Sequence, residues 1–97
     1  METIKLTNNM IQDMIKITNE MERFGSSTIG SIQMRCSRKF DLAKEEVFHY
    51  TELLIALGTA EKIKCQGGDG WNTSYTYEEI NLIMDAKEIQ KDLLNYR

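Results

Sequence analysis

Three changes of rhythm predict an α+β fold made of a three-helix cluster, a β-hairpin and one further helix at the C-terminus. The first rhythm is helical. Across 47–58, VFHYTELLIALG, the apolar residues Val47, Tyr50, Leu54 and Leu57 step by three, four and three and so line one helix face. Gly58 follows where a helix C-terminus needs a residue that tolerates positive φ. The second rhythm starts at once: in TAEKIKCQ, Ile63 and Cys65 alternate with Lys62, Lys64 and Gln66, and WNTSYTY alternates again beyond GGDG. After Tyr77 the helical spacing returns.

A chain of 97 residues is one domain with a modest single core. No apolar run is long enough to span a bilayer and no signal segment opens the chain, so a cytoplasmic protein is expected. Cys36 and Cys65 lie far apart in sequence and make neither a disulfide framework nor a zinc pattern; both read as small buried side chains. The net charge of −3 argues against wholesale electrostatic binding of nucleic acid but leaves room for a local basic patch.

Taken in order, TIKL at 3–6 reads as a short strand that needs a partner, such as one edge of the hairpin. Thr7 or Asn8 caps the first helix, in which Met10, Met14, Ile17, Met21 and Phe24 recur at four, three, four and three, with Ile11 and Ile15 widening the stripe and Gly25 ending it. Ile29, Ile32, Cys36 and Phe40 mark the second helix, beginning near Thr28 or near Ser31. Asp41 supplies a turn and Leu42 an apolar plug before the third helix, which starts near Ala43. Gly67, Gly68 and Gly70 suit the tip of the hairpin. Within it Ile63 is expected to enter the core, with Lys62 and Lys64 on the outward face. Thr76-Tyr77-Glu78-Glu79 reads as a capping box opening the last helix. Leu82, Ala86, Ile89, Leu93 and Tyr96 then form one stripe, nearly opposite Ile80, Ile83 and Met84.

Over residues 28–77 the order of sizes and polarities resembles the winged helix-turn-helix superfamily. Cys36, Ser37, Arg38-Lys39, Phe40, Asp41, Leu42, Val47 and Gly58 stand in that register, although Thr51 takes a place the family usually gives to an apolar residue. The resemblance implies a winged helix-turn-helix domain at 1–77, with 78–97 as an extra C-terminal helix. It implies DNA binding, as in small free-standing transcriptional regulators or accessory factors of plasmids, phages and other mobile elements. A helix apolar on two sides needs two partners, so a homodimer through the C-terminal helix, using Leu82, Ala86, Ile89, Leu93 and Tyr96, is expected, as in several winged-helix families. A helix folded back onto its own core is the competing expectation for that segment.

Nothing in the sequence converges as an enzyme site must. His49 is the sole histidine and lacks an acid partner in sequence, Cys36 sits in an apolar stripe, and no metal-ligand spacing appears, so no catalysis, cofactor or metal is expected. For DNA, the residues of the third helix that would face the groove are Ala43, Lys44, Glu45, Phe48, His49 and Glu52, one lysine against two glutamates. The basic residues lie elsewhere. Arg35, Arg38 and Lys39 fall on the second helix, Lys44 just past the turn, and Lys62 and Lys64 on the hairpin, with Gln66, Trp71 and Asn72 nearby. Binding is therefore expected to run through the hairpin and the second helix. A protein-interaction module that docks its partner through the acidic third helix and Phe48 is the rival expectation.

Overall fold

The computed structural model describes residues 5–68 and 74–96. Over these the protein is α+β, with four helices and a two-stranded antiparallel hairpin: α1 (Asn8–Phe24), α2 (Ile29–Phe40), α3 (Lys44–Ala56), β1 (Ala60–Gly68), β2 (Ser74–Leu82) and α4 (Ala86–Leu94).

Local chemistry sets the helix ends. Thr7 caps α1, its Oγ1 accepting from the Met10 amide at 3.2 Å, and Thr28 caps α2 in the same way through Ser31 at 3.3 Å. Asp41 ends α2 in the left-handed region, φ 55°, a conformation that aspartate tolerates better than most residues. Three residues later α3 has begun, with Glu46 accepting from the Ala43 amide. Gly58, φ 78°, turns the chain out of α3.

Ile11, Met14, Ile17, Ile32, Cys36, Val47 and Leu54 form the centre of the core. Thr51 is completely buried, and its hydroxyl donates to the Val47 carbonyl at 2.8 Å, so the polar group found where an apolar one is usual is satisfied within its own helix. Tyr50 ties α3 to α1 by donating to Asp13 Oδ2.

Several sequence expectations are corrected. Phe24 is half exposed rather than in the core, with the Arg35 guanidinium 4.4 Å above its ring. Lys5 and Leu6 are not in a strand, and the rest of that expected strand lies outside the described residues. The hairpin's extra partner is Ser27, whose backbone exchanges two hydrogen bonds with Ile80. Gly67 and Gly68 belong to β1 rather than to a turn. The Tyr75 ring crosses Gly67 so closely that a β-carbon there would sit 2.6 Å from it.

The largest correction concerns residues 76–82. They continue β2, pairing Thr76 with Gln66 through to Leu82 with Ala60, and so cannot open a helix. The helix starts at Ala86 instead, capped by Asp85 accepting from the Glu88 amide at 2.9 Å and by Glu22 accepting from the Ala86 amide. Leu82 thus sits on a strand, while Ala86, Ile89 and Leu93 are buried within the same chain as α4 packs on α1. The dimer face assigned to these residues is already covered. Of the five, Tyr96 alone is exposed, at 38%.

Candidate nucleic-acid interface

The hairpin's register decides which side chains accompany α3. Ala60 and Ile80, both 3% exposed, are the residues that enter the core. Because strand side chains alternate, the inward residue at 60 puts Lys62, Lys64 and Gln66 on the same face, with Ile80, Glu78 and Thr76 opposite them on β2. That face turns toward α3, where Lys62 Nζ lies 3.3 Å from Glu52. Ile63 stands on the opposite face and is 36% exposed. The expected arrangement is therefore reversed: one residue of register moves every side chain to the other side.

Between α3 and the hairpin lies a groove of about 170 Å³, bounded by Ile29, Phe48, Glu52, Lys62, Glu78 and Ile80. Its floor is apolar. Its rim holds two carboxylates and one lysine. Lys44, Glu45, Phe48 and His49 are exposed on the same helix. The His49 ring lies 6.0 Å from that of Tyr50.

The three basic residues of α2 have different employments. Arg35 Nη2 donates to Ser27 Oγ at 3.1 Å, and its Nε is buried with no hydrogen-bond partner among the described residues. The guanidinium braces the segment that pairs with β2 and is not free to clamp a phosphate. Lys39 Nζ lies 2.9 Å from Glu20, whose side chain is 8% exposed. Burial of a carboxylate demands such a partner, which fixes the lysine in place. Arg38 is exposed and makes no ion pair among the described residues. Lys44 and Lys64 are also exposed and without an ion pair there. Trp71 and Asn72 lie outside the described residues.

The structure brings Lys62, Lys64, Gln66 and α3 to one side and withdraws Arg35 and Lys39. Glu20 held a sequence signal for the latter: it falls between Ile17 and Met21, inside the apolar stripe of α1. Nothing in the sequence marked Gln33, whose Nε2 donates to the Lys44 carbonyl at 2.9 Å and fastens α2 to the start of α3.

Among the described residues no His, Cys, Asp and Glu side chains gather as a metal site would require. No helix there is long and apolar enough to cross a membrane. Comparison with protein-family models, with curated proteins and with solved structures finds no match.

Proposed function

We propose that this protein is a winged helix-turn-helix module that binds duplex DNA, with the hairpin as its wing. The observation that carries the reading is the shared orientation of the wing lysines and α3. Lys62, Lys64 and Gln66 project from the face that meets Glu52 of α3, so helix and wing present one concave surface. Arg38 and Lys44, at the end of α2 and the start of α3, add two exposed cations without an ion pair among the described residues. The helix order, the Asp41 turn and the bridge from Ser27 to β2 support the winged-helix assignment. Phosphate contacts dominate such binding, and the acidic residues of α3 leave base reading to the wing. Regulation of transcription, or service to a mobile element, is the process this activity fits.

Charge reversal tests the reading. Lys64→Glu is expected to weaken binding of a random-sequence duplex in a mobility shift, and Lys62→Glu with Lys64→Glu to abolish it. Unaltered binding by the double variant refutes the wing's role.

A second reading rests on Phe48, 47% exposed between Glu45 and Glu52, which suits a protein partner better than a phosphate backbone. Phe48→Ser separates the two, since it should spare duplex binding and remove a protein contact. Pairing of two copies, to read a repeated site, stays part of the proposal. With α4's inner stripe engaged, it would use the end of that helix, where Leu94 and Tyr96 are exposed near a cavity bordered by Leu57. Sedimentation at low micromolar concentration tests it, and a clean monomer refutes it.

A further inference from the structure

A second surface lies where the end of α1 meets the outer face of α2. Phe24 and Met34 are 50% and 52% exposed. The Phe24 ring has the Arg35 guanidinium 4.4 Å and the Arg23 guanidinium 5.5 Å from its centre, a pair of cation–π contacts. Arg38 follows Arg35 by three positions and Met34 by four, so it stands beside them on the helix surface.

Positive charge outweighs negative here. Glu20, one turn before Phe24, is turned inward onto Lys39, and Glu22, still an anion, is held on the amide of Ala86. No ion pair involves Arg23, Arg35 or Arg38 among the described residues. Arg23 and Arg38 are exposed and Arg35 is half-buried, on a surface that also exposes a phenylalanine and a methionine, in a chain whose net charge is −3.

From this we infer that the α1–α2 junction docks an acidic segment of a partner protein that also carries apolar side chains. The composition selects the partner. Arginine, methionine and aromatic residues are the types enriched at protein interfaces, and methionine adapts its shape to what lies over it. A phosphate backbone would answer Arg23 and Arg38 yet leave Phe24 and Met34 in water. Carboxylates interspersed with leucine or phenylalanine answer both. The inference goes beyond the duplex reading and does not depend on it.

The test uses the full chain and a fluorescent synthetic peptide that alternates Glu pairs with Leu and Phe, with an oligoglutamate of equal length as control. Anisotropy should show the mixed peptide binding more tightly than oligoglutamate. Met34→Glu and Arg23→Glu, both surface changes, should each weaken the peptide about tenfold. Lys64→Glu should leave it unaffected while weakening duplex DNA, so the two surfaces fail separately. Three results overturn the inference: no binding of the mixed peptide, equal binding of oligoglutamate, or weakening of duplex DNA by Arg23→Glu as strong as its weakening of the peptide, which would assign the arginines to a nucleic-acid surface.

Discussion

Arg38 and Lys39 are adjacent in sequence and alike in charge, but their surroundings make them different residues. Lys39 holds a buried carboxylate, whereas Arg38 touches no anion among the described residues. Lys39→Met should lower stability by about 1–3 kcal/mol, because Glu20 is left charged and unpaired, while Arg38→Met should stay within about 0.5 kcal/mol. Chemical denaturation of both variants checks this. Cys36 gives a pH signature. Burial, and then the Glu20 carboxylate, push its thiol up to about 11 from 9.0, against the pull of Arg35 and Lys39. Below pH 9 the thiol is protonated in folded and unfolded chains alike. Between 9.0 and about 11 the unfolded chain releases its proton while the folded one keeps it, so stability falls as pH rises through that window. Cys36→Ala should flatten that part of the alkaline slope in thermal melts. The burial of Cys36 was legible from its place in an apolar stripe. The employment of Arg35 and Lys39 was not, since it depends on what α1 brings alongside α2, and helical spacing within α2 says nothing of that.

Elements with a strong internal period were read well, and those defined by pairing were not. The three cluster helices follow from their stripes, the Thr7 cap and the Asp41 turn. The hairpin also follows from its alternation, but its register does not. Ile63 and Ile80 are chemically identical candidates for the core, and only the position of β1 after Gly58 decides between them. Ile80→Ala should cost about 2–5 kcal/mol, as for a filled core site, whereas Ile63→Ala should be nearly neutral. Equal effects would restore the opposite register. At 76–79 a capping-box pattern competes with a run rich in tyrosine and threonine. Pairing with β1 decides for strand, and the helix signal moves to Asp85 and Glu88, which also stand three residues apart.

At the scale of the whole molecule, the surface formed by α3 and the hairpin carries about as many anions as cations. On the proposed duplex reading, affinity rests on few phosphate contacts and responds to salt in proportion. Three exposed cations without an ion pair, Arg38, Lys44 and Lys64, are available for them among the described residues. The surface pair between Lys62 and Glu52 contributes little to stability and can open when a phosphate approaches. The α1–α2 junction shares Arg38 with that surface but is more uniformly positive, so the molecule offers two adjoining surfaces of different character. The most direct test of the duplex-binding account is a salt titration of binding to a random-sequence duplex, followed by anisotropy. Three phosphate contacts, or four once Lys62 is released from Glu52, predict that the logarithm of the binding constant falls linearly against the logarithm of salt with a slope of about −2.7 to −3.6, its magnitude reduced by about 0.9 in Lys64→Glu. Absence of binding at low salt, or a slope indifferent to Lys64→Glu, contradicts it.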